Sequence, residues 1–379
     1  MRARVRLRRE EEPKVSRGRP TGQPAASASR SRSPGGQPSP FRVSLLLAHR
    51  TLGNRWVQRH LVPSDRIILR DPKKPESDKP PTKAGTRQVN VSALKGIGPQ
   101  AVVLITAAAT TALAGTDPEV HVLIHYHGHT GGYGDVGGVG AQRAAWDQIG
   151  PQIEATGRPV IAILPQAGIR ADENWGFGGA ASKPTEYIAG VMAQLTTQEK
   201  WAATPKYTVA VSGHSGGGYQ AASALAQGLK AEEVMIFDGI NGYLELGSMI
   251  TWVESRLNDA ASRIQAAGTD TKKQDEALAS TVWFRAYHHG RDLDPAKDKV
   301  DLSEPFKKNR DAVGDRGYAG RYAILKDRVD KWFAKNGSKL GDDALQARLR
   351  GHFDIKGVSG SEHEDVVGKS RGIEKGLKP

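Results

Sequence analysis

The sequence predicts an α/β protein: a mainly parallel central sheet flanked by helices, preceded by a disordered basic N-terminal tail. Three observations predict it. From about Arg87 onward, short aliphatic and β-branched runs alternate with amphipathic stretches, the texture of strands buried on both faces and covered by helices. One such run leads directly into Gly213-His214-Ser215-Gly216-Gly217 and then into a helix-forming stretch. An earlier run at 121–125 opens into a loop carrying Gly128, Gly131 and Gly132.

The elements before this region set the charge. The 379 residues carry a net charge of +13, yet residues 1–100 hold 22 Lys/Arg against 7 Asp/Glu, leaving the other 32 basic and 34 acidic side chains nearly balanced. Residues 1–40 are rich in Arg, Ser, Pro and Gly and have too few large apolar side chains to offset the entropy of ordering, so a disordered tail is expected. Over 41–62, Leu45, Leu46, Leu52, Val57 and Leu61 form an apolar stripe suited to a short helical segment. A Pro/Lys-rich linker is expected over 63–87. A single catalytic domain should then occupy 88–370.

Cysteine is absent, which excludes a disulfide framework, a thiolate metal site and a cysteine nucleophile. Met1 to Arg9 is basic but no apolar h-region follows, so a secretory signal peptide is not expected and the chain should reside in the cytoplasm of the cell that makes it. The apolar run 101–114 falls short of the roughly 20 residues needed to span a bilayer and reads as a buried strand with a turn or helix after it. The Arg-rich tail lacks the aromatic interleaving of a single-strand binding surface, so a nucleic-acid partner is not expected.

Within the domain, strands are expected at 101–105, 120–125, 160–164, 208–212, 234–237, 282–287 and 352–356, with helices at 142–155, 184–194, 217–227 and 246–267. The long excursions 239–280 and 292–350 are candidates for a lid or an acyl pocket. Trp252, Trp283, Trp332 and Phe333 could line that pocket or belong to the core.

Gly213, Ser215 and Gly217 fit G-x-S-x-G between a strand and a helix, the context of a nucleophile elbow. The turn is so sharp that the residues two before and two after the serine must be small, and the serine itself takes a strained backbone. Such a turn leaves the Gly216 N–H at a helix N-terminus, aimed where an oxyanion would form. A phosphate-binding loop is the alternative, but the segment has neither a P-loop lysine nor G-x-G-x-x-G spacing.

A second oxyanion donor is expected from the loop after the early strand, at Gly128 or His129, where bare backbone can approach a substrate oxygen. A zinc site on His125, His127 and His129 at period two is the competing reading. It needs a regular strand face that a Gly-rich stretch does not sustain, so neither a metal nor another cofactor is expected. The general base should follow the last strand, in the order serine, acid, histidine; His363 holds that position, whereas His214 should point away from the nucleophile. Two aspartates compete for the acid. Asp238 follows the 234–237 strand directly and is favoured; Asp292, or Asp294 near it, follows the later strand, and Arg291 could instead pair with Asp292 at the surface.

Together, the strand, elbow and terminal histidine resemble the α/β-hydrolase superfamily over roughly residues 88–370. That resemblance implies the α/β-hydrolase fold and a serine hydrolase acting on a small-molecule or lipid acyl substrate, a carboxylic ester before an amide. It does not choose among acyl compounds. The other reading is an inactive scaffold of the same fold that serves as a binding module, its basic tail touching nucleic acid or an anionic surface. Separately, Leu52-Gly53-Asn54-Arg55-Trp56-Val57-Gln58-Arg59 resembles a Leu-Gly-Asn-Arg motif of bacterial cargo proteins of extracellular contractile injection systems. This resemblance implies an effector loaded through residues 41–62 and exported without a signal peptide.

Overall fold

The computed structural model describes residues 86–128, 147–166, 177–293, 297–298, 317–341, 343–363 and 365–377. The expected tail, the 41–62 segment and nearly all of the 63–87 linker lie outside the described residues, as do His129 and Asp294. Eight described strands form one sheet in the order β1-β2-β4-β3-β5-β6-β7-β8. They are β1 (Arg87–Val91), β2 (Ala101–Ile105), β3 (Glu119–Tyr126), β4 (Val160–Pro165), β5 (Lys206–His214), β6 (Glu233–Phe237), β7 (Trp283–His289) and β8 (Phe353–Val358). Strands β3 to β8 are parallel, while β2 is antiparallel to both β1 and β4. This is the mainly parallel, helix-flanked sheet that the sequence predicts.

Period-two alternation makes the sheet two-faced. Along β3, Val122, Ile124 and Tyr126 join one core cluster while Leu123 joins the other, as strand geometry requires. On the first face lie α1 (Ala107–Leu113), the short α3 (Gly179–Ser182), α4 (Pro184–Gln198), α5 (Gly217–Ala226) and α6 (Tyr243–Ala267). The second face is covered by α2 (Ile149–Ala155) and, at the C-terminal end, by α10 (Val366–Ser370) and α11 (Gly372–Gly376). Helices α7 (Thr271–Ala279), α8 (Gly317–Asn336) and α9 (Asp343–Gly351) complete the described α-helices, and a 3-10 turn, Gly337–Leu340, follows α8. No described helix is long and apolar enough to cross a membrane.

Two departures from expectation have simple causes. The sequence does not signal β1, because Arg87, Gln88 and Asn90 leave only two apolar residues in five; it is an edge strand held by its ladder to β2. Packing also extends past 370, since Ile373 and Leu377 are buried beneath the sheet. The excursion 239–280 is mostly the long helix α6, whose Leu246, Met249, Val253 and Leu257 are buried. Trp252, Trp332 and Phe333 accordingly belong to the core, and Trp332 Nε1 donates to Asn258 Oδ1 at 2.8 Å. Trp283 instead packs at a tilt against the His352 ring and lies under the Arg285 guanidinium.

Topology also marks where a site belongs. From β3 the chain goes first to β4 on one side and later to β5 on the other, so β3 and β5 flank a switch point, and crevices form at the carboxyl ends of strands there.

Candidate active site

Strand β5 ends at His214, and Ser215 turns out of it with φ of 52°. A non-glycine residue at positive φ is costly and must be held by its surroundings. Three hydrogen bonds hold it: Ser215 N–H donates to Phe237 O at 2.9 Å, and Ser215 O accepts from Gly218 N at 2.9 Å and from Asn241 Nδ2 at 2.8 Å. The glycines work by close approach. A Cβ on Gly213 would overlap the Gly217 carbonyl, and one on Gly217 would overlap Tyr126 O at the end of β3. Here the chain makes the expected elbow, with Gly216 as the N-cap of the ten-residue α5.

One strand over, the same manoeuvre is repeated. Asp238 leaves β6 with φ of 45°, its N–H donating to Tyr287 O at 2.9 Å. His214, Phe237 and Tyr287 lie in one register row across β5, β6 and β7, so Ser215, Asp238 and His288 emerge at the same level of the sheet.

His363 reaches this level from the loop after β8. Its Nε2 lies 2.9 Å from Ser215 Oγ and its Nδ1 3.0 Å from Asp238 Oδ2. Of the two aspartates that compete on sequence grounds, Asp238 alone meets this histidine. Asp292 lies past the turn at Gly290, whose φ is 79°. There it accepts from Gly357 N–H at 2.6 Å and contacts His288 Nε2 at 3.3 Å. It therefore stitches the end of β7 to β8, and Arg291 pairs with Asp298 instead.

Asp238 is fully buried and receives more than His363. Its Oδ1 accepts from the His289 N–H at 3.0 Å and its Oδ2 from His289 Nδ1 at 2.6 Å. Burial alone would raise the Asp238 carboxyl, but the hydrogen bonds and charges of His289 and His363 outweigh it and hold the group below the usual carboxylate range. Sequence reasoning missed His289. Only the register places it beside Asp238, two residues beyond Tyr287 in the pairing of β6 with β7.

Gly128 lies against Ser215: a Cβ there would sit 2.9 Å from Ser215 Cβ and 3.5 Å from Ser215 Oγ. The two expected oxyanion positions, Gly216 and Gly128, therefore flank Ser215 from α5 and from the end of β3. Beneath them, His125 Nδ1 contacts Ser212 Oγ at 2.7 Å and His125 Nε2 contacts Asp147 Oδ2 at 3.3 Å. His127 Nδ1 donates to Gly128 O at 2.7 Å, and its ring packs on Phe177. Both ring nitrogens of His125 are thus engaged, while His129, the third residue of the competing zinc reading, lies outside the described residues. The His214 side chain turns from Ser215 toward the loop that carries His363, with Nε2 2.7 Å from His363 O.

Among the described residues, the one group with metal-ligand spacing is Asp238, His289 and His363, whose ligand atoms lie within 4.8 Å of one another. The hydrogen bonds at 2.6 and 3.0 Å already account for those three side chains.

No protein-family model matches the sequence, and no curated protein matches it. Solved structures do align with it. A ferulic acid esterase covers 77% of this chain with 95% of its own, at 11% identity and a TM-score of 0.40. A carboxyl esterase from the mycorrhizal fungus Tuber melanosporum covers 90% of this chain with 100% of its own, at 12% identity and a TM-score of 0.38. The siderophore hydrolase EstB from Aspergillus nidulans covers 79% of this chain with 96% of its own, at 12% identity and a TM-score of 0.36. At such distances these likenesses carry no argument about chemistry, which rests on the geometry above.

Proposed function

We propose that this chain is a serine hydrolase that cleaves a carboxylic ester or related acyl bond through an acyl-enzyme on Ser215. The observation that supports the reading is the unbroken chain Ser215 Oγ, His363 Nε2, His363 Nδ1, Asp238 Oδ2, with links of 2.9 and 3.0 Å. A hydroxyl is a weak nucleophile until a base takes its proton as it attacks. His363 does so through Nε2, and the buried Asp238 carboxylate, accepting at Nδ1, fixes the tautomer and stabilises the imidazolium. Negative charge then moves to the substrate carbonyl oxygen, which the Gly216 N–H and the backbone at Gly128 or His129 stabilise. His363 returns the proton to the leaving group, water enters along the same path, and hydrolysis of the acyl-enzyme restores Ser215.

Hydrolysis of p-nitrophenyl acetate, butyrate and longer esters by the wild type and by Ser215→Ala tests the reading, with fluorophosphonate labelling of Ser215 alongside. Turnover that disappears with the hydroxyl, and label confined to Ser215, are expected. A folded wild type inert to both reagents would leave the binding-scaffold reading in its place. The effector part of the proposal is supported by the Leu52–Arg59 motif alone: residues 41–62 would load the hydrolase into a contractile injection system. A reporter fused to residues 1–85 should then be packaged, and an unpackaged fusion removes this part without touching the chemistry.

A further inference from the structure

His214 precedes the nucleophile in the chain yet makes no hydrogen bond to it, and the mechanism above does not use it. The ring is nearly sealed from solvent. Nε2 lies 2.7 Å from the main-chain oxygen of His363, Nδ1 lies 3.3 Å from Asp147 Oδ1, and the two imidazole rings are 5.2 Å apart between centroids. Asp147, also buried, turns its other oxygen to His125 Nε2 at 3.3 Å, and His125 reaches Ser212 on β5. Gln152 Nε2 donates to Asp147 O at 2.7 Å and so fixes the carboxylate's own backbone.

We propose that His214 and Asp147 are positioning residues for the base: the His214 ring, fixed by Asp147, grips His363 by its main-chain carbonyl and so sets where the His363 ring meets Ser215. The proposal rests on reading His363 as the general base. Its physical core is donor arithmetic. A carbonyl oxygen only accepts, and an ionised carboxylate only accepts. Both ring nitrogens of His214 face such acceptors, so both bonds form together only when both nitrogens carry a proton. A neutral ring would set a bare nitrogen against one of two oxygens inside a buried site, where an unmet polar contact is costly. The groups facing His214 agree with this state. Asp147 beside it and Asp238 beyond it are carboxylates, His125 approaches through Asp147, and His363 presents its carbonyl. Burial opposes the charge on His214, but Asp147 and the His363 carbonyl outweigh it and raise the group above its ordinary value. Asp147 is likewise pushed up by burial and pulled further down by the His214 charge and the bonds from His125 and His214. Two Asp–His pairs thus act on one histidine: Asp238 at its ring, and Asp147 through His214 at its backbone.

The test uses the full-length chain with His214→Leu, His214→Gln and Asp147→Asn. A glutamine amide can still donate to the His363 carbonyl and carries no charge, whereas leucine cannot donate. Loss of a hydrogen bond from a charged donor predicts that Leu lowers kcat and the fluorophosphonate labelling rate by about tenfold to a hundredfold with KM within about twofold, and that Gln recovers most of the loss. Asp147→Asn should bring the alkaline fall in kcat to lower pH, because the ring is no longer held charged; Gln should lack that limb. The proposal is overturned if a folded Leu variant keeps wild-type kcat, or if Gln is no better than Leu. Should Leu fail to fold, an unmoved alkaline limb in Asp147→Asn overturns it. A readout independent of turnover separates this from failure of the base assignment: the downfield proton resonance of His363 Nδ1–H bonded to Asp238. It should be sharp in the wild type and in Gln and broadened by exchange in Leu, even if the wild type proves inert to esters; an unchanged resonance in Leu sinks the clamp.

Discussion

Asp238 and Asp292 are the same residue type after neighbouring parallel strands, and their fates differ because Asp238 directly follows β6 whereas Asp292 lies beyond the turn that ends β7. Asp238 emerges beside Ser215 and meets His363, whereas Asp292 lies past the Gly290 turn and caps β8. Asp238→Asn should therefore cost about 10⁴-fold in kcat by stranding His363 in the wrong tautomer, with Asp292→Asn within about twofold of wild type. Steady-state kinetics on p-nitrophenyl butyrate decide it, and equal losses in the two variants would count against the assignment of the acid. Gly128 makes a second prediction at this scale. An added methyl would press on Ser215 Cβ at 2.9 Å, so Gly128→Ala should lower kcat by about tenfold or more while leaving the fold largely intact. Circular dichroism beside the kinetics checks both halves.

At the scale of elements, the site depends on how the C-terminal helices are anchored. Gln152 on α2 donates to Asp147 O and to Val367 O at 3.2 Å, and its Oε1 accepts from Ile373 N at 3.0 Å and Glu374 N at 3.4 Å. One buried amide thus ties α2 to α10 and α11, just beyond the His363 loop. Gln152→Leu keeps the volume and strands these backbone groups, which should cost about 1–3 kcal/mol of stability. Urea denaturation with an unchanged m-value would show it; a midpoint equal to the wild type would mean that water satisfies the groups. The elbow is knit at the same scale. A Cβ on Gly217 would drive α5 away from the end of β3, so Gly217→Ala should lose both stability and turnover.

For the whole molecule, buried charges around the site tie stability to pH. Asp147 and Asp238 titrate below their ordinary values in the fold. Their stabilisation is therefore complete above an unfolded pKa of about 4 and is lost as pH falls toward the folded values. His214 is raised, so its contribution is complete below about 6.5 and is lost as pH climbs through the raised value. The melting temperature should be highest between about pH 4 and 6.5. Asp147→Asn should flatten the alkaline side, and a wild-type curve that still rises above pH 7 would contradict the charged pair. The described side chains of the site come from elements between Glu119 and Asp365, so a chain lacking residues 1–85 should keep the proposed esterase activity.

What the sequence determined by itself was local. Gly213, Ser215 and Gly217 announce an elbow because the steric demands of that turn act within five residues, and apolar runs announce strands because burial on both faces leaves no room for polar alternation. Chain order singled out His363 among the histidines, and the loop after β8 brings its ring to Ser215. Tertiary structure decided whatever depends on two strands at once. The choice of Asp238 over Asp292, the second histidine on Asp238 and the turn of His214 toward the His363 backbone all follow from parallel register across β5, β6 and β7. Asp147 lies far from its partners in sequence and joins them only where α2 packs beneath the sheet. Register and packing are set by the summed burial of two hydrophobic faces, a property of the folded sheet that no short stretch of sequence carries.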